Sequence, residues 1–280
     1  MRRFAVVIAC AAAGLLFAGP AADAQVAGKN RVVIDGSTTV GPIAKAFAEH
    51  YMGKHPEVNI TVSESGSGNG AKSLIGGTCD IADMSRFMKM KEFEAAVAQG
   101  IQPVPHVVAM DGIAIIVHPR NPIGALTLDQ LKRIYLGEIA DWSELGGPRQ
   151  KIVMISRDTN SGTYETFEKL VMHKAKIAPG VEYVGSNGAM RQRVQSTTSA
   201  IGYVGLGFVD ETVKGLEIDG VEPTKLTVAT GVYPIARPLF MFTNGYPKLG
   251  SPLHAFVTLH LTPEGQEIIS EIGYVPVTRY

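Results

Sequence analysis

The chain contains little cysteine and has no surplus of charge of either sign. It has two cysteines in 280 residues, and the first, Cys10, falls within a predicted leader peptide. The mature chain then keeps only Cys79, which excludes an internal disulfide, so its stability must come from its hydrophobic core. The 26 basic and 26 acidic residues cancel, which argues against nucleic acid or an anionic membrane surface as a partner. An anionic ligand would therefore need a local binding site.

Long hydrophobic runs are also missing outside the N-terminus, where residues 1–24 have the pattern of a secretory signal peptide. Two arginines precede the apolar stretch 4–17, and Ala22-Asp23-Ala24 offers a cleavage site. No segment reaches the roughly 18 to 20 apolar residues that a membrane helix needs. We therefore expect an exported, periplasmic protein without a lipid anchor at Cys10.

Strand-like apolar segments alternate with helix-like amphipathic segments along the mature chain. This alternation predicts an α/β fold with a mainly parallel sheet. A break at Pro119-Arg120-Asn121-Pro122 separates two such sets, and the last part of the chain has no sheet of its own to complete. We predict two α/β lobes, residues 25–118 plus 233–280 and residues 119–232, joined by two hinge crossings with a ligand cleft between them.

Turns rich in Ser, Thr and Gly connect three predicted strands to helices, at residues 37–41, 65–70 and 160–163. Each turn alone is equally consistent with ordinary helix capping. However, free N–H groups at helix starts attract anions, and ligands of parallel α/β sheets bind at the carboxyl ends of strands. Met84-Ser85-Arg86 adds a hydroxyl and a guanidinium, and Arg157 adds a second guanidinium, a planar group that can bind an oxyanion through two hydrogen bonds. Together these groups predict a site for one small tetrahedral anion.

Other functional interpretations have weaker support. The segment 66–71 matches the dinucleotide fingerprint G-x-G-x-x-[G/A], but the helix after it is short and no ribose-binding acid follows about 20 residues later. Asn160-Ser161-Gly162 lacks the nucleophile elbow of hydrolases, and the seven histidines are too scattered to ligate a metal. A phosphatase that reuses the same anion site stays open, but no activated nucleophile supports it. We expect a binding protein that is not an enzyme and that uses no metal or cofactor.

Six segments resemble the periplasmic phosphate-binding proteins of phosphate ABC importers, in the order of that family and over nearly all of the mature chain. The R-x-x-x-S-G-T segment is the most specific of them. They are residues 36–40, 65–68, 82–86, 157–163, 200–203 and 233–238. The resemblance implies a type II periplasmic-binding-protein fold that closes around inorganic phosphate. It also implies a monomer that delivers the anion to the membrane permease of an ABC importer.

The predicted phosphate ligands come from both lobes. The resemblance implies that the first two turns donate hydroxyl and backbone N–H groups, that Arg157 pairs with the anion, and that the third turn closes the site. With the hydroxyl and guanidinium that follow the third strand, the predicted set is Thr38, Thr39, Val40, Ser67, Gly68, Ser85, Arg86, Asp111, Arg157, Ser161, Gly162 and Thr163.

One departure from the family concerns selectivity. Well-known members place an acid where this chain has Arg86, and that acid accepts the proton of hydrogen phosphate. Sulfate has no such proton near neutral pH, so the acceptor is the physical basis of discrimination. Asp111 is our candidate acceptor, and an ordinary acid at a strand edge is the equally open alternative. A receptor for another tetrahedral oxyanion, such as sulfate, molybdate or tungstate, therefore remains the alternative function.

Overall fold

The computed structural model of the protein describes residues 30–278. Its strands are β1 (Arg31–Gly36), β2 (Asn59–Ser63), β3 (Ile81–Met84), β4 (Pro103–Val117), β5 (Ala125–Leu126), β6 (Val153–Arg157), β7 (Glu182–Val184), β8 (Ala200–Gly205), β9 (Lys214–Gly215), β10 (Glu217–Ile218) and β11 (Ala236–Asn244). Its helices are α1 (Gly41–Lys54), α2 (Ser67–Ile75), α3 (Met90–Ala98), α4 (Leu128–Tyr135), α5 (Gly162–Leu170), α6 (Asn187–Gln195), α7 (Lys225–Ala229), α8 (Pro252–Thr258) and α9 (Pro263–Glu271). The predicted signal peptide lies outside the described residues.

The main sheet has parallel ends and an antiparallel centre. Its strand order is β2-β1-β3-β11-β4-β8-β6-β7. β1 runs parallel to β2 and β3, and β6 runs parallel to β7 and β8. β11 is antiparallel to both β3 and β4, and β4 is antiparallel to β8. The predicted α/β class is confirmed, with the parallel pairing confined to the two ends.

β4 and β11 connect the two ends of this sheet. β4 pairs with β11 from Pro103 to Gly112 and with β8 from Ile113 to Val117. We call the part that holds β1–β3 the first lobe and the part that holds β6–β8 the second lobe. The exact lobe boundaries at residues 118/119 and 232/233 stay a prediction.

Each lobe has its own group of buried apolar side chains. In the first lobe, Phe47 packs edge-on against Phe256, with ring centroids 6.1 Å apart, among residues of α1, α8 and the sheet. In the second lobe, Phe167 of α5 stacks on Tyr203 of β8 with centroids 4.2 Å apart, beside the buried Trp142. This stacking fixes α5 against the sheet and so sets where its N-terminus points. Within residues 30–278, no helix is long and apolar enough to span a membrane.

Candidate anion-binding site

A small cavity lies where the strand ends of the two lobes meet. The empty space there is about 120 Å³, including space open to solvent, and it is lined by Ser37, Thr38, Thr39, Gly66, Ser67, Ser85, Arg157, Ser161, Gly162 and Thr163. Pockets for organic ligands and cofactors usually hold roughly 300–1,000 Å³. Even with the space open to solvent included, the cavity lies below that range, so it is too small for a dinucleotide and leaves room for a small ion at most.

The structure brings eight of the twelve predicted ligand residues to this cavity. They are Thr38, Thr39, Ser67, Ser85, Arg157, Ser161, Gly162 and Thr163. Ser37 and Gly66, which belong to the same predicted turns, complete the lining. The cavity thus receives groups from three turns of the first lobe and from the β6–α5 turn of the second.

Arg157 supplies the positive charge of the cavity. Its Nε donates to the Val184 carbonyl at 3.2 Å, and its Nη2 donates to the Gly185 carbonyl at 2.8 Å and to Thr38 Oγ1 at 3.3 Å. Nη1 is buried and has no hydrogen-bond partner among residues 30–278. Burial lowers the pKa of Arg157 to about 10, so the guanidinium stays protonated at neutral pH. Neutral carbonyls thus hold the side chain without cancelling its charge.

The start of α5 supplies backbone donors. Ser161 is the N-cap, and its Oγ accepts from the Tyr164 N–H at 3.2 Å. Gly162 and Thr163 are the first two residues of α5, so the helix itself supplies no acceptor for their N–H groups. These N–H groups form part of the positive end of the helix dipole. Because the Ser161 oxygen is acting as an acceptor, its own proton is free to be donated. This helix start is a ready site for an anion.

Gly162 also lets the two lobes approach each other closely. A Cβ at this position would lie 2.6 Å from both Ser67 Oγ and Ser85 Oγ, which belong to the first lobe. Those hydroxyls are close to one another, 3.3 Å apart, and Ser67 Oγ accepts from the Ser85 N–H at 3.1 Å. The missing side chain therefore makes room for the hydroxyls that line the opposite wall.

Two threonine hydroxyls on the first turn are oriented by donors from elsewhere. Thr38 Oγ1 accepts from Asn187 Nδ2 at 3.0 Å, in addition to Arg157. Thr39 Oγ1 accepts from Asn187 Nδ2 at 2.9 Å and shares a hydrogen bond of 3.1 Å with Thr163 Oγ1. A hydroxyl oxygen that already accepts is left with its proton to donate. Thr38 is in that position and can donate into the cavity.

Two buried residues of this network were missing from the sequence-predicted set. Asn187 begins α6 and also accepts the Gly205 N–H at 3.2 Å. Arg237 of β11 donates to Thr163 Oγ1 at 2.9 Å and to the Ser85 carbonyl at 3.1 Å. The signal for Asn187 was available, because Ser186-Asn187-Gly188 is another polar turn before a helix. Arg237 lies in the family-like segment 233–238, but its role depends on contacts made only in the fold.

Two predicted backbone donors, at Gly68 and Val40, lie outside the cavity lining, and their roles as ligands stay predictions. The Gly68 N–H donates to the Asn160 carbonyl of the second lobe at 2.9 Å, so it joins the lobes instead of facing the cavity. The Val40 N–H is 3.4 Å from Ser37 Oγ, and its side chain is fully buried in the first-lobe core. Neither residue lines the cavity.

Arg86 is directed away from the cavity. Its Nη1 and Nη2 donate to the two carboxylate oxygens of Glu92 at 2.8 and 2.7 Å, and its Nε lies 2.8 Å from Glu165 Oε2. Two carboxylates thus take up the guanidinium that the sequence assigned to the anion. A direct contact of Arg86 with the anion stays a prediction, and these ion pairs do not support it.

Asp111 is likewise not a lining residue. Its Oδ2 accepts from Arg237 Nη2 at 2.9 Å and from Nε at 3.1 Å, while Oδ1 accepts from the Leu206 N–H at 2.9 Å. Burial raises the pKa of this carboxyl, and the Arg237 guanidinium opposes that rise. A buried charge needs such a partner. Asp111 holds Arg237 in place, and its role as the phosphate-proton acceptor stays a prediction that these contacts do not support.

Comparisons with known proteins give a consistent set of relatives. A family model described as a PBP superfamily domain matches residues 19–261. The chain is 35% identical over 248 residues to the phosphate-binding protein PstS of Bacillus subtilis, covering 88% of this chain and 81% of that protein. It is 31% identical over 263 residues to PstS of Pseudomonas aeruginosa, covering 86% and 81%.

Solved structures give the same result. A putative phosphate ABC transporter substrate-binding protein with bound phosphate from Clostridium perfringens superposes with a TM-score of 0.82 at 35% identity, covering 89% of this chain and 100% of that one. An ABC-type phosphate transport receptor from Vibrio cholerae gives a TM-score of 0.69 at 33% identity, covering 87% and 99%.

Proposed function

Because this chain belongs to the family of PstS-type phosphate-binding proteins, we propose that it captures inorganic phosphate in the cavity between its two lobes. The α/β type II periplasmic-binding-protein fold predicted from the sequence agrees with these relatives. We further propose that the protein acts in the periplasm as a monomer and delivers phosphate to the membrane permease of an ABC importer. No turnover is expected of it.

The arrangement of donors around the cavity carries this proposal. Removing a phosphate from water is costly, and charge-assisted hydrogen bonds are the contacts strong enough to replace its hydration. The cavity offers the guanidinium of Arg157, the first N–H groups of α5 and the hydroxyls of serine and threonine residues from both lobes. An anion held this way contacts both lobes at once, so its binding favours the closed arrangement.

The lining also bears on selectivity. Its ten residues include no carboxylate, so the proton of hydrogen phosphate must meet a neutral acceptor. Serine and threonine oxygens accept as well as donate, and we propose that one of the lining hydroxyls takes this proton. The lack of a carboxylate in the lining is also the observation that favours the alternative, a receptor for sulfate, molybdate or tungstate.

Calorimetric titration of phosphate-free protein with phosphate and with sulfate tests the proposal. One phosphate should bind per chain, with sulfate binding more weakly. No heat with phosphate would contradict it, and equal binding of sulfate would favour the alternative function. The phosphatase interpretation predicts hydrolysis of a phosphate ester that Ser161→Ala abolishes, and we expect no hydrolysis.

A further inference from the structure

An ion pair joins the two lobes beside the cavity. Arg86 follows the lining residue Ser85 in the first lobe, and Glu165 lies in the first turn of α5 in the second lobe. Arg86 Nε and Glu165 Oε2 are 2.8 Å apart, and Lys89 Nζ lies 3.0 Å from Glu165 Oε1. Neither Arg86 nor Glu165 lines the cavity, so this pair acts on the lobes and not on the anion.

The first-lobe half of the pair is held ready for its partner. Glu92 fixes both terminal nitrogens of Arg86 and also accepts the Lys89 N–H at 2.9 Å. This leaves the Nε edge of the guanidinium for Glu165, which meets it as a close contact of opposite charges and not as a well-oriented hydrogen bond. The side chain of Arg86 is 8% exposed and that of Glu165 is 15% exposed. An ion pair this sheltered is screened by salt less than a surface pair, and little side-chain freedom is lost when it forms.

We propose that the Arg86–Glu165 ion pair is a latch that stabilises the closed arrangement of the lobes and limits the rate at which bound phosphate leaves. The proposal rests on the proposed function, since phosphate release is its readout. When the lobes separate, the pair must break, whereas the Arg86–Glu92 contact lies within the first lobe and persists. At the cavity, the cross-lobe contacts Gly68 to Asn160 and Thr39 to Thr163 are between neutral groups, and Arg157 to Thr38 and Arg237 to Thr163 each join a guanidinium to a neutral hydroxyl, so none of these four is an ion pair. The latch adds a charged contact that works from outside the cavity.

The negative charge of Glu165 allows the latch to be distinguished from direct electrostatic repulsion between Glu165 and the bound anion. A carboxylate near the anion repels it. If this repulsion were the only effect of Glu165, removing its charge would tighten phosphate binding and slow phosphate release. The latch predicts the opposite, because loss of the carboxylate leaves the closed state without its cross-lobe ion pair. The direction of the change in release rate therefore distinguishes the two effects.

Stopped-flow measurement of phosphate association and release in Glu165→Gln tests the latch. Release should become roughly tenfold faster, while association stays within about twofold. Glu168→Gln is the matched control, because Glu168 lies one turn along the same helix and, within residues 30–278, its carboxylate has one hydrogen bond, from Tyr164 Oη at 3.4 Å. Its release rate should stay within about twofold of the parent protein. Release from Glu165→Gln that is no faster than from this control would overturn the latch.

A double variant and a scattering measurement complete the test. If the two residues act as a pair, Arg86→Gln combined with Glu165→Gln should release phosphate no faster than the faster single variant. Fully additive rate changes would overturn the pairing.

If the parent protein bound no phosphate, the proposed function would fail. The latch would then be judged by small-angle scattering of anion-free protein. Glu165→Gln should have the larger radius of gyration, and equal radii would overturn the latch.

Discussion

Gly162→Ala tests whether phosphate binding requires the close approach of the lobes. Gly162 is the first residue of α5, is buried, and has a helical backbone that alanine also adopts. The added methyl would lie 2.6 Å from Ser67 Oγ and Ser85 Oγ and 3.1 Å from Arg86 Cγ. All three atoms belong to the first lobe. The methyl therefore acts as a wedge between the lobes and not as a disturbance of the helix.

The size of the effect follows from these distances. Restoring ordinary contact requires a shift of about 0.8 Å between the methyl and the hydroxyls. Rotation of Ser67 would break the hydrogen bond that its Oγ accepts from the Ser85 N–H, and rotation of either serine would break the 3.3 Å contact between the two hydroxyls. A hydrogen bond to a charged group contributes about 1.5–3 kcal/mol. Losing one of them costs about 1.5–3 kcal/mol, which weakens phosphate binding roughly 10- to 150-fold.

Calorimetry with phosphate, paired with thermal unfolding, measures this effect. Gly188→Ala is the matched control, since Gly188 also lies in the first turn of a second-lobe helix and, among the described residues, its Cβ would come within 4 Å of Ser186 Oγ alone, at 3.9 Å. Both substitutions should leave stability unchanged or raise it by up to about 1 kcal/mol. If Gly162→Ala bound phosphate within threefold of the control, binding would not depend on contact between these two walls.

Three further predictions concern single buried residues. Arg157→Lys should weaken phosphate binding by roughly 100-fold, because an ammonium cannot keep the carbonyl contacts and face the cavity together; calorimetry showing full affinity would contradict this. Asn187→Ala should weaken it by roughly tenfold, since both threonine hydroxyls lose an orienting donor, and an unchanged dissociation constant would mean that they need none. Asp83 is fully buried without a hydrogen-bond partner among the described residues, and burial raises its pKa well above the usual value. The folded state then keeps a proton that the unfolded state loses above about pH 4, so stability falls as pH rises, by up to about 1.4 kcal/mol per unit until the raised pKa is passed. In urea unfolding between pH 5 and 8, Asp83→Asn should remove that decline, and parallel curves for the two proteins would refute it.

The turns that form the cavity were predictable because their chemistry is local. A polar segment between a strand and a helix already indicates free N–H groups and a capping hydroxyl, as at Ser161. The turn at Ser186 follows the same rule, yet it was overlooked. The strand before it, β7, has three residues and none of them is fully buried, so it has little of the apolar signal that identifies a strand. Asn187 was missed for this reason.

The N-terminal part of β4 could not be predicted from the apolar pattern of the sequence. The apolar pattern predicts a strand at 112–118, whereas β4 begins nine residues earlier, at Pro103. Proline disfavours central strands because it has no N–H to donate. Here Pro103 and Pro105 lie in the part of β4 that pairs with β11, before the bridge of Met110 to Val275 and before β8 joins the sheet at Ile113. One side of that stretch has no strand partner in the described sheet, so proline is tolerated there.

The roles of three arginines around the cavity were the least predictable part of the site. From the sequence, Arg86 and Arg157 each follow a strand beside hydroxyl-bearing residues, and nothing local distinguishes them. In the fold, Arg86 is neutralised by Glu92 and Glu165, and Arg237 is neutralised by Asp111. Arg157 contacts carbonyls and a hydroxyl, and no carboxylate of residues 30–278 lies within 4 Å of its guanidinium. The tertiary structure brings carboxylates to Arg86 and Arg237, and this leaves Arg157 as the arginine whose charge can act on the anion. Arg157 keeps its charge because the chain places only neutral groups around it.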